Sequence, residues 1–323
     1  MSGDAPPGGA LGQALGEALG SPVVGSRGLS GGDINQAAQI ALRDGRELFV
    51  KSNASAPPGM FAAEARGLAW LGEARALRVP EVVAVSAPGA EVQFLVLELI
   101  RPGARAGGGG GAAFELALGR GLAALHRFGA PAFGLDHDNF IGRLPQANRP
   151  LAPVPSAPSA PTVPTAPSAT AGPDGGGWAE FYRARRLEPQ LRLAADHGLA
   201  SATMRSGFQR LFNSLETLVG PAEPPSRLHG DLWGGNLMAD TQGQPCLIDP
   251  AVYGGHREID LAMMRLFGGF GARVFSAYGE AWPLAPGSAE RVDLYQLYPL
   301  MVHVNLFGGG YVGSVESALS RLL

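Results

Sequence analysis

The sequence RLHGDLWGGNLMADTQGQPCLIDPA, residues 227–251, contains the most specific pattern in the chain. Asp231 and Asn236 stand five positions apart in a glycine-containing stretch, and Asp249 closes the predicted short strand CLID. Oxygen-bearing side chains that come close together repel one another unless a cation or a transferable proton compensates. The pattern therefore predicts a cation site or a proton-transfer site at this point of the fold.

The order of these three residues matches an arrangement that kinases use for phosphoryl transfer. There, a catalytic-loop Asp is followed five positions later by an Asn, and a second metal-binding Asp comes further along the chain. Ligands that are all oxygen suit Mg²⁺, which also binds substrate phosphates. The alternative is a turn-rich loop whose Asp and Asn side chains cap helices. A single Asp would fit that alternative, whereas the ordered set of three favours phosphate chemistry.

A second pair of candidate residues is Lys51 and Glu64. The segment MFAAEARGLAWLGEAR, residues 60–75, has apolar residues at helical spacing, and Glu64 shares a face with Phe61 and Leu68. A carboxylate that faces a core is costly unless a cation pairs with it. Lys51, at the end of the preceding strand, is the natural partner. The alternative is that both side chains extend to water.

A glycine-dense stretch, GSRGLSGGDIN, spans residues 25–35 and includes Gly31 and Gly32. Such a turn lets backbone N–H groups approach an anion such as phosphate closely. In a chain with 48 glycines, the stretch by itself favours a plain loop over a phosphate-binding turn.

His229 and His256 raise the alternative of a hydrolytic zinc site together with the aspartates. The two histidines lack the helical spacing of a metal-binding pair, and a zinc site would leave Lys51 and the glycine-dense stretch without a role. His229 is therefore expected to orient the loop that contains Asp231.

The composition limits the classes of function. The formal net charge is -3 and no block of five like charges occurs, which argues against a nucleic-acid or anionic-membrane partner. Cys246 is the only cysteine, which excludes a disulfide framework within the chain and fits a reducing compartment. Neither a signal peptide nor an apolar run long enough to span a bilayer is found. We expect a soluble, cytoplasmic protein, and the oligomeric state stays open.

The element pattern predicts an α+β fold with two lobes. Strands are expected within 47–53 and twice within 80–100, and helices over 60–75 and 114–128. A Gly-rich tract at 106–113 and a Pro/Ala/Ser-rich insertion at 151–177 lack core residues and are expected to be flexible or disordered. We predict a β-rich N-terminal lobe at 1–100 and a mainly helical lobe at 101–323, with a ligand cleft between them.

Several separate motifs carry a resemblance to a known family. Taken together, they resemble the fructosamine/ketosamine kinases, relatives of aminoglycoside and choline kinases with a protein-kinase-like fold. The resemblance runs from about residue 25 to the C-terminus, interrupted by the two tracts above. The motifs are HGDLWGGN (229–236), IDPAVYGGHREIDLA (248–262), GGDIN (31–35), DNFIGRLPQAN (138–148), WAEFYRARRLEPQL (178–191) and NLFGGGY (305–311).

The resemblance implies a role for each candidate around the phosphates. Asp231 would be the base that accepts the proton of the substrate hydroxyl. Asn236 and Asp249 would be the Mg²⁺ ligands. Lys51 would contact the α- and β-phosphates of ATP and pair with Glu64.

It also implies contacts further from the transferred group. Gly31 and Gly32 would lie in a turn that covers the nucleotide, and Glu98 to Ile100 would connect the lobes and hydrogen-bond adenine through their backbone. Asp260 would be a structural anchor beneath the catalytic loop. Trp233 would offer a stacking surface for the sugar-derived chain, or would only pack the loop.

The implied reaction is ATP-dependent phosphorylation of a ketosamine, free or protein-bound, at its 3-hydroxyl, which would repair glycation. Transfer would be in line and would depend on positioning and charge stabilisation. One alternative keeps the fold and changes the substrate to an aminoglycoside, choline or another small alcohol. A second alternative is a non-catalytic binding protein, but decayed kinases usually lack at least one of the five residues around the phosphates, and all five are present here. The sugar and the free or protein-bound state of the substrate stay open.

Overall fold

The N-terminal part of the chain is built on one five-stranded antiparallel sheet. The computed structural model describes residues 9–29, 35–103, 111–151 and 177–323. In these ranges the sheet has the strand order β1-β2-β3-β5-β4. Its elements are α1 (Gly9–Leu19), β1 (Val23–Leu29), β2 (Gln36–Leu42), β3 (Glu47–Ser52), α2 (Met60–Glu73), β4 (Val82–Val85) and β5 (Phe94–Glu98).

The alternation of side chains along β3 determines on which face of the sheet Lys51 lies. Successive side chains of a strand point to opposite faces. Leu48 and Val50 pack in the cluster that contains Leu15 of α1, whereas Phe49 packs against the cluster that contains Phe61 of α2. The alternation therefore places Lys51 on the α2 side of the sheet, where Glu64 lies.

The larger C-terminal part is mainly helical and shares one hydrophobic core. Three short antiparallel pairs, β6–β7, β8–β11 and β9–β10, accompany the helices. The helix α4 continues through a π-helical segment, Tyr182–Leu187, into α5. The elements are α3 (Ala112–Phe128), β6 (Asn139–Ile141), β7 (Leu144–Gln146), α4 (Trp178–Phe181), α5 (Glu188–Asp196), α6 (Ala202–Leu218), β8 (Ser226–Leu228), β9 (Leu237–Ala239), β10 (Pro245–Leu247), β11 (Tyr253–Gly255), α7 (Glu258–Phe267), α8 (Ala272–Ala281), α9 (Val292–Phe307) and α10 (Val312–Leu322).

The α+β class and the predicted strands and helices are confirmed. The prediction of a turn over 25–35 is wrong for its first half, because residues 25–29 belong to β1 and pair with β2, as in Gly25 with Ala41. Glycine adopts the extended conformation where it gains ladder hydrogen bonds, and an irregularity in register between Val23 and Gly25 accommodates it. Residues 30–34, including Gly31 and Gly32, lie outside the described residues.

The two low-complexity tracts also lie largely outside the described residues. Of the predicted flexible tract at 106–113, Ala112 and Ala113 belong to α3, because they extend its first turn. Residues 152–176 of the predicted insertion lie outside the description. The lobe boundary at residues 100 and 101 stays a prediction. Within the described ranges, no helix is both long and apolar enough to cross a membrane.

Candidate active site

Asn236, in the loop between β8 and β9, brings together the three residues of the opening motif. The amide nitrogen Nδ2 of Asn236 donates to the backbone oxygen of Asp231 at 2.8 Å and to its carboxylate Oδ2 at 3.1 Å. The same nitrogen lies 3.4 Å from the backbone oxygen of Asp249, which it also contacts. One side chain therefore fixes the relative position of both acidic residues.

The backbone of this loop needs two unusual conformations. Gly230 has φ 83, and a Cβ atom there would lie 2.1 Å from the backbone oxygen of Ala251. Only glycine fits such a close approach of two chains. Asp249 has φ 55, in the left-handed region that non-glycine residues rarely enter. Strained backbone of this kind concentrates at functional sites.

Asp260, at the start of α7, holds the loop from below. Its Oδ1 accepts from the backbone N–H of Gly230 and its Oδ2 from that of His229, both at 2.8 Å. The ring of His126 in α3 lies 3.1 Å from the same Oδ2. Burial acts to raise the pKa of Asp260, but the hydrogen bond and charge of His126 and the loop N–H groups hold it below the ordinary value. The anchor thus stays ionised.

His126 is a member of this site that the sequence reasoning missed. It is fully buried on the apolar face of α3, and its Nδ1 lies 2.9 Å from the hydroxyl of Tyr278. A single histidine on a helix 134 residues from Asp260 gives no local signal of the contact. The only sequence signal for His126 is its helical spacing from the leucines of the apolar face of α3, which indicates burial.

His229 adopts an orientation that fits the predicted structural role. Its Nε2 donates to the backbone oxygen of Ile248 at 2.9 Å, so its Nδ1 accepts from the backbone N–H of Asp231 at 3.3 Å. Burial lowers the pKa of His229, which keeps the ring neutral. Both ring nitrogens of His229 are therefore engaged with the backbone. The ring of His256 instead stacks on that of Tyr295, with 5.1 Å between the ring centroids.

Lys51 connects the sheet to the loop residues. Its Nζ lies 2.7 Å from Oε1 of Glu64 and 2.6 Å from Oδ1 of Asp249, and its side chain is only 8% exposed. Burial disfavours the charged amine, but the two carboxylates outweigh it and raise the pKa of Lys51. Burial raises the pKa of Glu64, and Lys51 opposes that rise. The pairing expected between Lys51 and Glu64 is present, and Asp249 adds a second partner.

Of the four acidic side chains of the site described above, Glu64, Asp231, Asp249 and Asp260, Asp231 is the one for which the described residues provide no cation partner. Burial raises its pKa to about 7, the hydrogen bond from Asn236 counteracts this, and the negative charges of Asp249 and Asp260 add to the rise. A carboxylate with such a pKa exchanges a proton near neutral pH. The site therefore combines a proton-exchanging carboxylate, Asp231, with the anchor Asp260, whose pKa lies below the ordinary value.

The segment Glu98 to Ile100 follows β5 at the point where the sheet meets the helical part. Glu98 donates its backbone N–H to the oxygen of Glu81 at 2.8 Å, and its carboxylate pairs with Arg78. Within the residues described, the backbone N–H of Ile100 has no hydrogen-bond partner.

Trp233 lies on the surface of the loop with 43% of its area exposed. Its ring covers Gly235, where a Cβ atom would come within 2.2 Å of the indole. The neighbouring Gly234 packs against Gly269, which a Cβ atom at Gly234 would approach to 3.2 Å. The glycines let the loop hold a large, flat aromatic face toward solvent.

The donor set beside Lys51 suits a hard divalent cation. Asn236 engages its Nδ2, and among the described residues nothing hydrogen-bonds its Oδ1. Asp249 contacts Lys51 through Oδ1 and is 43% exposed, which leaves Oδ2 accessible. An amide oxygen and a carboxylate oxygen are ligands that Mg²⁺ accepts when phosphates and water complete its shell. The oxygen atoms of Asn236 and Asp249 are therefore chemically suited to Mg²⁺.

Comparison with solved structures identifies the fold. A macrolide 2′-phosphotransferase from Brachybacterium faecium matches with a TM-score of 0.58 at 14% identity, over 96% of this chain and 97% of that chain. A fructosamine-3-kinase homologue from Thermobifida fusca matches with a TM-score of 0.79 at 33% identity, over 97% and 98%. The fold and site define a two-lobed protein of the protein-kinase-like class.

Comparison with sequence families is more specific. The fructosamine kinase model matches residues 10–152 and 174–323. The chloroplastic protein-ribulosamine 3-kinase of Oryza sativa subsp. japonica is 35% identical over 304 residues, which are 93% of this chain and 79% of that protein. The chain belongs to the fructosamine kinase family. Membership in a family of kinases implies ATP as co-substrate.

Proposed function

We propose that the protein transfers the γ-phosphoryl group of ATP to the 3-hydroxyl of a ketosamine. The observation that carries this proposal is the continuous set of contacts from Glu64 through Lys51 and Asp249 to Asn236 and Asp231. Family membership and the named relatives support the same reaction, since one relative is a protein-ribulosamine 3-kinase.

Asp231 is the proposed base. Its Oδ2 accepts from Asn236, which orients the carboxylate, while the raised pKa suits acceptance of a hydroxyl proton near neutral pH. The backbone N–H of Asp231 is held by His229 and the loop by Asp260. Positioning of the acceptor hydroxyl is therefore achieved by groups that are fixed before substrate arrives.

Lys51 is the proposed phosphate contact on the donor side. It stays charged between Glu64 and Asp249, so the two carboxylates fix a cation where phosphate oxygens would lie. Asn236 and Asp249 are the proposed ligands of Mg²⁺. When bound, Mg²⁺ supplies charge neutralisation on the phosphate oxygens.

The remaining assignments extend the proposal to both substrates. The free N–H of Ile100 supports adenine recognition by the segment Glu98 to Ile100. Gly31 and Gly32 are proposed to cover the nucleotide. The exposed face of Trp233 supports stacking with the sugar-derived chain of a free or protein-bound ketosamine. Phosphorylation of the 3-hydroxyl would destabilise the bond between the sugar and the amine. We therefore propose a deglycation role in the cytoplasm.

The alternative acceptors have weaker support. An aminoglycoside phosphotransferase of known structure shares 16% identity with this chain, which shows the fold alone. A non-catalytic role is not favoured either, since the relatives at good coverage are named kinases.

The proposal is tested by phosphate incorporation into ribulose-lysine and fructose-lysine, with the phosphorylated hydroxyl located by NMR. We expect ATP-dependent transfer to the 3-hydroxyl of at least one of the two, and a loss of about 10³-fold or more in kcat for Asp231→Asn. Turnover of aminoglycosides or choline without turnover of either ketosamine would refute the acceptor. Full activity of Asp231→Asn would refute the base.

A further inference from the structure

Arg78, between α2 and β4, joins two segments that are far apart in the sequence. Its Nη1 donates to Oδ2 of Asp240 at 2.6 Å, and its Nη2 donates to Oε1 of Glu98. The Asp240 side chain is 5% exposed, whereas that of Glu98 is 35% exposed. The planar guanidinium, with its fixed fork of donors, can hold two carboxylates in one relative position.

Asp240 is a rigid partner because it closes the turn between β9 and β10. Its Oδ1 accepts from the backbone N–H groups of Gln242 and Gln244, both at 2.9 Å. The carboxylate therefore uses one oxygen to fix its own turn and the other to hold Arg78. Backbone hydrogen bonds to Asp240 and the charge of Arg78 keep its pKa below the ordinary value, so the contact stays ionic at neutral pH.

Backbone hydrogen bonds join two segments to the hairpin β9–β10. One segment precedes β4, and the other follows the connector Glu98 to Ile100. On the side before β4, the N–H of Leu247 in β10 donates to the oxygen of Arg78 at 2.9 Å. After the connector, the N–H of Gly103 donates to the oxygen of Ala239 in β9 at 3.0 Å. A Cβ atom on Gly103 would lie 2.5 Å from the oxygen of Asp240, which shows how close the two chains run.

The hairpin β9–β10 also carries the proposed metal ligands. Asn236 directly precedes β9, and Asp249 follows β10 after one residue. The N–H of Ile248 donates to the oxygen of Asn236 at 3.1 Å, which ties the two ends of the hairpin together. A displacement of the hairpin relative to Glu98 would therefore change the distance between the adenine contact and the metal ligands.

We infer that Arg78 is a positioning residue that sets the adenine-binding connector at a fixed distance from the metal-binding hairpin. The inference rests on the proposed function for the nucleotide side only. A structural role alone would lower the free energy of unfolding and leave nucleotide affinity unchanged. A positioning role lowers the affinity for the nucleotide with Mg²⁺ and leaves the acceptor KM unchanged.

The test compares Arg78→Met and Arg78→Lys with the control Arg101→Met. Arg101 follows the connector, is 64% exposed and pairs with Glu47 of the same sheet, so it makes no contact with the hairpin. We expect the Kd of ADP with Mg²⁺, measured by calorimetry, to rise about 5- to 10-fold in Arg78→Met and less in Arg78→Lys. Arg101→Met should change it by less than about two-fold.

Steady-state kinetics complete the test. The KM for ATP should rise in parallel with the Kd, while the KM for the ketosamine stays at the wild-type value. Equal Kd values in Arg78→Met and Arg101→Met, or a parallel rise in both KM values, would overturn the inference. If Arg78→Met fails to fold, Glu98→Gln replaces it, because this variant weakens the ion pair between Arg78 and Glu98. The Kd of ADP with Mg²⁺ is then compared between Glu98→Gln and Arg101→Met. ADP binding needs no acceptor, so a failure of ketosamine turnover would refute the proposed function and leave this comparison intact.

Discussion

The surroundings of Asp231 disfavour the ionised form of its side chain. Burial and the neighbouring carboxylates of Asp249 and Asp260 raise its pKa, and only Asn236 opposes them. Lys51 compensates Glu64 and Asp249 but not Asp231. Active sites commonly trade stability for such a group, because the same strain that destabilises the fold makes the side chain reactive.

This strain predicts a pH-dependent gain in stability for Asp231→Asn. The folded-state pKa of about 7 exceeds the ordinary 3.8, so the folded state binds the proton more tightly. The ionised side chain therefore costs stability that appears as pH rises above about 4 and is complete above about 7. The variant should gain more stability over wild type at pH 8 than at pH 5, by on the order of 2 kcal/mol.

Urea unfolding at the two pH values measures this gain. Asp293→Asn is the control, because Asp293 has a cation partner, Arg321, which Asp231 lacks among the described residues. An equal gain for Asp231→Asn at pH 5 and pH 8 would contradict the assigned strain.

Single residues were predictable only where spacing or family resemblance carried a signal. The helical stripe around Glu64 indicated a buried acid and hence a lysine partner. The contact between Lys51 and Asp249 joins residues 198 positions apart, so no local pattern could indicate it. The resemblance placed both residues at the phosphates, but their direct contact needed the structure. His126 was missed for the same reason.

At the scale of the structural elements, the conformation of the loop between β8 and β9, which carries Asp231, depends on one glycine. Replacement of Gly230 by Ala should destabilise the protein by about 3 kcal/mol and lower kcat at least ten-fold. The reason is that the new Cβ would meet the Ala251 oxygen at 2.1 Å and move Asp231. Denaturant unfolding and kcat at saturating substrate measure both effects.

Gly198, between α5 and α6, provides a matched control for this substitution. It also has a positive φ, 71, but a Cβ atom there meets nothing within 4 Å. Gly198→Ala should cost only the backbone strain of about 1 kcal/mol and leave kcat unchanged. Similar losses in the two variants would show that the close approach at Gly230 has no special role.

Elements with a clear period or an apolar run were predicted, and elements without such a signal were not. The strands β3, β4, β5 and β10 and the helices α2 and α3 follow from period and composition. Strand β1 was missed because its glycines indicate a turn, although pairing with β2 decides its conformation. The pair β8–β11 and the strand β9 have three residues per strand, too few for a period to show.

At the scale of the whole molecule, the fold class followed from the order of elements, whereas the contacts between the two lobes did not. Arg78 reaches Asp240 across 162 residues, and Arg227 pairs with Glu73 across 154. Such ion pairs depend on the final placement of the lobes. Sequence patterns predict what each lobe is made of, and tertiary structure alone shows how the lobes are joined.

The family match predicts how the chain tolerates loss of its Pro/Ala/Ser-rich insertion. Residues 153–173 lie outside the matched segments, while the flanking Leu151 and Trp178 pack with the main core. Replacement of 153–173 by about ten Gly and Ser residues should leave kcat and both KM values within about two-fold, because the effect of loop length on stability is weak. Steady-state kinetics with ATP and a ketosamine provide the measurement. A ten-fold loss of activity would show that the insertion contributes to the site.

The left-handed backbone at Asp249 determines which mutagenesis experiment can be interpreted there. Alanine scanning would remove the carboxylate and also place a residue poorly suited to φ 55, so lost activity would have two causes. Asparagine tolerates this conformation and keeps the shape of the side chain. Asp249→Asn therefore isolates the contribution of the negative charge, whereas the further loss in Asp249→Ala combines the backbone strain with the loss of the side-chain oxygen that faces Lys51.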